Sequence, residues 1–176
     1  MATSKWGIDP THSEIGFKVK HMMFTNVSGK FDTFEASAEI EGDDFSQATF
    51  SFSADAASIN TGNADRDNHL RSADFFNVEQ FPTLHFKSTS VQKTADNQFK
   101  LNGDLTLHGI SNPVVLDVEY GGTMQDPWGN TKAGFTLSGK INRKDWGLNW
   151  NAALEAGGVL VSEEVRLSMD VQMVKQ

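Results

Sequence analysis

Residues 60–86 read NTGNADRDNHLRSADFFNVEQFPTLHF, and this stretch decides how the rest of the chain is read. The segments on either side alternate apolar and polar side chains with period two; this one does not. Asn60, Thr61, Gly62 and Asn63 are turn formers. Residues 65–71 predict a short exposed helix, and Ser72, Ala73 and Asp74 can cap a second turn of it. Phe75, Phe76, Val78 and Phe81 then crowd apolar surface together before Pro82 starts a strand. A closure over one end of a β structure fits that pattern.

Working outward, alternation begins near His12, with Ser13, Ile15, Phe17 and Val19 on one face. Residues 21–24 make an apolar corner, and residues 26–29 read as a turn. The next strand, 30–41, puts Phe34, Ala36, Ala38 and Ile40 on one face. Phe31 is out of step with Phe34, which predicts a bulge or bend at 32–33. After a turn at 42–44, strand 48–55 aligns Phe50, Phe52 and Ala54. Strand 83–91 aligns Leu84 and Phe86, and a hairpin turn is expected at 95–97. Strand 98–107 follows with Phe99, Leu101, Leu105 and Leu107, then a turn at 109–113 and strand 114–120. A long loop is expected at 121–130, followed by strand 132–141 with Ala133, Phe135, Leu137 and Ile141 aligned. Residues 142–158 are irregular, and strand 162–174 completes the set.

Eight amphipathic strands with helix only near residues 65–80 make a single all-β domain spanning residues 1–176. Closure removes exposed edges, so a barrel is favoured over a sandwich. Thirteen Phe against one Tyr suits an apolar interior, because Phe needs no hydrogen-bond partner there. Small residues share the inward rows: Ala36, Ala38, Ala54, Gly103, Ala133 and Gly139. Beside Phe they either leave a tapering cavity or interdigitate with large neighbours to fill the barrel. A cavity would be lined by Phe17, Phe34, Phe50, Phe52, Phe86, Leu101, Phe135 and Leu137, with Trp146 against it. Trp146 and Trp150 either close such a pocket or plug the barrel end.

The charge and the motifs exclude several classes. Net charge is −8, from 15 basic and 23 acidic residues, which argues against nucleic acid and against unaided attachment to anionic membranes. There is no cysteine. No apolar run approaches the roughly 20 residues that span a bilayer, so no membrane insertion is expected. The N-terminus, MATSKWGIDP, shows no secretory leader, so the chain as it stands is expected in the cytoplasm, or in the periplasm if a leader has been removed. Histidines 12, 21, 69, 85 and 108 have no HxH or HxxxH spacing, so neither a metal nor another cofactor is expected. There is no GxSxG, and Gly157-Gly158 lacks the Lys and the helix of a phosphate loop.

One polar cluster stands out, Arg66-Asp67-x-His69-x-Arg71. Asp67 and Arg71 are spaced i, i+4, so they can form an ion pair that fixes a lid. Alternatively Arg66, His69 and Arg71 form a polar mouth that meets the head group of a ligand, with Arg143 adding charge. His12 follows Asp9-Pro-Thr and either bonds that turn or stands at the mouth.

The sequence also resembles a known family. SINTGN (58–63), RDNHLRSADFF (66–76) and FPTLHF (81–86) resemble the signature of the YceI-like family. LTLHGI (105–110) with Pro113, DPWGN (126–130), AGF (133–135) and INRKDWGLNW (141–150) follow in the same order. The resemblance implies a lipocalin-like eight-stranded antiparallel barrel. It implies a ligand that is a long amphiphile: a polyisoprenoid such as an isoprenoid quinone or polyprenyl phosphate, or a fatty acid or its amide. Homodimers and periplasmic members are known in the family, and no catalytic residues carry over from it. Two functions stay open. One is a non-enzymatic lipid carrier or store. The other is an enzyme acting on an isoprenoid or small hydrophobic substrate, with His12 or His69 as acid/base.

Overall fold

A computed structural model describes residues 3–22, 24–42, 44–151 and 161–176. Among them the strands are β1 (Thr3–Ile8), β2 (Glu14–His21), β3 (Thr25–Phe31), β4 (Phe34–Glu41), β5 (Thr49–Asp55), β6 (Ile59–Asn60), β7 (Thr83–Ala95), β8 (Gln98–Leu107), β9 (Ile110–Gln125), β10 (Thr131–Asn142) and β11 (Val161–Lys175). The helix α1 is Ala64–Arg71. Of the sequence-based expectations, Met23, Asp43 and Gly157-Gly158 lie outside the described residues.

The strands form one antiparallel sheet in the order β1-β4-β5-β7-β8-β9-β10-β11, and it closes through β1 and β11. The other three strands continue broken staves of the same barrel. β1 and β2 both lie against β11, with Ile8 opposite Met173 and Glu14 opposite Asp170. Likewise β3 and β4 lie against β2 and β1, and β6 extends β5 along β3. Counted by stave the barrel is eight-stranded and up-and-down, as expected.

The break between β1 and β2 has a local cause. Pro10 cannot donate to a ladder, and Pro10–His12 is a 3-10 turn between β1 and β2. Asp9 caps it, accepting from Thr11 N at 3.1 Å and bonding His12 Nδ1 at 2.8 Å and Lys132 Nζ at 3.1 Å. Those contacts, His12 first, hold the Asp9 carboxyl well below the usual carboxylate range. The bend expected at 32–33 is present, but it separates β3 from β4 instead of bulging one strand.

Three sequence-based boundaries are corrected. Residues 26–29 are strand, not turn. Gly29 lies under the Phe17 ring, which would collide with any Cβ there, so packing overrides turn propensity. The turn expected at 109–113 is only His108 and Gly109, at φ 53° and 73°. β9 runs through Pro113, and β10 pairs with it only from Asp117 onward, so the missing N–H is tolerated at a free edge. The long loop at 121–130 shrinks to residues 126–130, because Gly122 at φ 116° lets β9 bulge and continue.

One end of the barrel is sealed by Trp6, Phe45, Tyr120 and Phe135 over Ala38, Ile40, Ala133 and Met173. Rings pack edge-on there, Phe45 to Phe135 at 5.2 Å. At the opposite end gather the β2–β3 hairpin, residues 61–82, the β8–β9 turn and residues 143–151. No helix among the described residues is long and apolar enough to cross a membrane.

Candidate ligand cavity

Both readings of the small interior residues hold, at different places. A Cβ on Gly103 would collide with the Phe86 ring, and one on Gly139 would stand 2.7 Å from Leu116 Cδ2. Those glycines let large side chains lie against the wall. With the large side chains laid back, the axis stays open as a cavity of about 550 Å³. Along β11 the inner row Val165, Leu167, Met169 and Val171 is only half-buried, whereas Met173 at the sealed end is 3% exposed. The half-exposure is to the cavity, which all five residues line.

Of the expected lining, Phe17, Phe50, Phe52, Phe86, Leu101, Phe135 and Leu137 border this space. Phe34 and Trp146 do not. Phe34 lies beside Phe52 with ring centroids 6.5 Å apart. Trp146 is 2% exposed and donates its indole N–H to Leu105 O at 2.9 Å, so it plugs the barrel end. Trp150 lines the cavity. Sequence reasoning missed Phe45, which sits in a 3-10 turn rather than a strand; its signal was the Asp44 cap, whose carboxylate accepts from Ser46 N at 2.9 Å.

The polar end is built on α1. Asn63 caps the helix by accepting from Arg66 N at 3.0 Å. The expected Asp67–Arg71 ion pair is absent. Asp67 turns inward, is buried, and accepts from Thr61 N at 2.9 Å and Thr61 Oγ1 at 2.6 Å. Arg71 donates to Ala57 O at 2.8 Å, Ile59 O at 3.2 Å and Asn68 Oδ1 at 3.0 Å. Backbone groups that the turn leaves without ladder partners outcompete a weak surface pair. Arg71 therefore ties the lid down and does not border the cavity. Asp67→Ala should destabilise the fold by about 2–3 kcal/mol, since it strands the Thr61 donors, and Asp67→Asn by less. Denaturant unfolding of both variants checks this.

Arg66 and His69 do border the cavity. Arg66 donates from Nε to Thr61 Oγ1 at 2.7 Å and from its terminal nitrogen to Thr61 O at 2.8 Å. His69 Nε2 bonds Asp74 Oδ2 at 3.0 Å, and its ring stands edge-on to Trp150 at 4.7 Å. The second helical turn expected at 72–74 is replaced by tight turns. Phe76 N donates to Leu70 O at 2.9 Å and Phe81 N to Asn77 O at 2.9 Å, which drives Phe75 and Phe76 down onto the barrel. His12 is not at this mouth; its role is the Asp9 turn.

Arg143, expected to add charge to the polar mouth, does border the cavity, but as a buried group whose donors are taken up by backbone carbonyls. It is 4% exposed and donates to the carbonyls of Leu148, Trp150, Val161 and Ser162. Its guanidinium carbon lies 5.9 Å from the Phe75 ring centroid. Burial lowers its pKa, and the nearby Glu163 charge opposes that shift. No group of three potential metal ligands occurs among the described residues.

Comparison with known proteins agrees with this architecture. A YceI-like domain description matches residues 6–173. A UPF0312 protein of Staphylococcus aureus (strain N315) is 38% identical over 165 residues, covering 93% of this chain and 94% of that protein. The Campylobacter jejuni YceI protein superposes with a TM-score of 0.78 at 31% identity, covering 96% of each chain. A Saccharophagus degradans domain described as polyisoprenoid binding superposes with a TM-score of 0.67 at 16% identity, covering 97% of this chain and 98% of that one, a likeness of fold alone. With its broken staves, its α1 closure and its match over residues 6–173, the chain belongs to the YceI-like family.

Proposed function

We propose that the chain binds a long amphiphilic lipid and carries or stores it without chemical change. The lipid would be a polyisoprenoid such as an isoprenoid quinone or polyprenyl phosphate, or a fatty acid or its amide. One observation carries this reading: an apolar cavity of about 550 Å³ with Thr61, Asp65, Arg66 and His69 gathered at one end. A tail buried among Phe, Leu, Val and Met is stabilised by removal from water. A polar head is costly to bury unpaired and belongs at the end where donors stand. The description of the Saccharophagus degradans domain as polyisoprenoid binding supports the polyisoprenoid class. For the enzymatic alternative, His12 lies off the cavity. His69 has a carboxylate partner in Asp74, yet no hydroxyl bonds its ring among the described residues.

Titrating lipid-stripped chain with fatty acids and prenyl alcohols of graded length tests the reading. Affinity should rise by up to about 0.8 kcal/mol per buried CH₂ until the tail fills the cavity, then level off. Affinity independent of tail length would contradict it. Arg66→Ala reports on the head group. The loss should be about 1.5–3 kcal/mol for a prenyl phosphate and about half that or less for a quinone or amide.

A further inference from the structure

The β2–β3 hairpin forms one side of the cavity mouth, where Lys20, His21 and Val27 border the opening. Its tip is apolar and faces water: Met22 is 39% exposed and Phe24 76% exposed. Phe24 in particular gains little stabilisation from burial there. Met22 also adopts φ 54°, a left-handed conformation that Asn or Gly takes more readily at a hairpin turn. The turn itself is held by the His21 carbonyl, which accepts from Phe24 N at 3.4 Å and Thr25 Oγ1 at 3.1 Å.

The charge of this hairpin opposes that of the chain. Between Glu14 and Asp32 stand Lys18, Lys20, His21 and Lys30 and no acidic residue, although the net charge is −8. Lys30 reaches Asp32 at 3.8 Å. Lys18 and Lys20 are exposed and form no ion pair among the described residues. At physiological salt, charges beyond about 8 Å are screened, so the local sign governs a contact made by the tip; Glu163 and Glu164 on the neighbouring β11 are paired with Lys144 and with Lys140 and Arg166. Another exposed apolar tip, Trp128 at 83% with Met124 at 73%, lies at the sealed end of the barrel, beside Asp126.

We propose that the β2–β3 hairpin docks the cavity mouth on an anionic lipid bilayer. Met22 and Phe24 enter the interface, while Lys18 and Lys20 meet the head groups. An amphiphile then passes between bilayer and cavity without exposing its tail to water. The inference rests on the lipid-carriage reading, but its test needs no cargo.

Co-sedimentation with vesicles of phosphatidylcholine, with and without phosphatidylglycerol, measures the docking. Wild type should bind the anionic vesicles more strongly, and added salt should weaken that binding. Phe24→Ser should lower the partition coefficient about tenfold or more. Lys18→Gln and Lys20→Gln should lower it about fivefold each. Trp128→Ser should leave it unchanged. Equal binding by wild type and Phe24→Ser overturns the proposal, as does loss of binding in Trp128→Ser. A Phe24→Ser chain that changes from dimer to monomer in the absence of vesicles also overturns it, by assigning the tip to a second copy. Lipid recovered from a chain that fails to bind vesicles overturns docking and leaves carriage standing. Vesicle binding by a chain that takes up no lipid overturns carriage alone.

Discussion

Replacing Leu137 and Phe52 together by Trp should cut the lipid bound by the chain at least about tenfold, a loss of about 1.4 kcal/mol in affinity. The unfolding temperature should stay level or rise. The two residues lie on β10 and β5, which are opposite staves of the barrel, and both are half-buried because they face the cavity. In a filled core such added volume forces strain and costs about 1–3 kcal/mol. In an open cavity the indoles occupy empty space and gain contacts. Phe86→Trp should behave differently. The Phe86 ring already lies where a Cβ on Gly103 would stand, so a larger ring there overpacks the wall and lowers stability. Thermal melts and quantified lipid content of the purified variants separate these outcomes.

Arg143→Met should destabilise the chain by about 3–5 kcal/mol, because it takes the donor from one buried and three partly buried carbonyls. For a chain of this size that lowers the unfolding temperature by roughly 10 °C. The guanidinium reaches four carbonyls, two in the segment after the 3-10 turn Arg143–Trp146 and two at the start of β11. It thereby joins Leu148 and Trp150, which line the cavity, to the barrel wall. Arg143→Lys should recover only part of the loss, since an ammonium has three donors on a flexible stem and cannot reproduce the planar fork. Differential scanning calorimetry of the two variants reads both effects.

Period two was enough to find the staves, because each buries one face. β8 was bounded at both ends from sequence, since Leu101, Leu105 and Leu107 alternate without interruption between two tight turns. Boundaries failed where tertiary contacts override local preference. β3 passes through a turn-like Asn-Val-Ser-Gly because Phe17 covers Gly29. β9 passes through Pro113 because the β10 side is unpaired there. β1 lies before the first alternation, which begins near His12, and Pro10 is a kink within one stave. At the polar end, spacing gave the helix and its Arg66 and His69. It could not show that Asp67 would turn inward to Thr61, or that Arg143 would find four carbonyls. Both outcomes depend on backbone groups left unpaired by turns, and no side-chain pattern records those.

Native mass spectrometry of the purified chain, paired with organic extraction of the same sample, tests lipid carriage most directly. The expected spectrum shows the chain with one bound amphiphile. The extract should contain that amphiphile unchanged, with a long apolar tail and a single polar end. A spectrum of bare chain with an empty extract, from protein that also fails to take up added prenyl or acyl lipids, would contradict it.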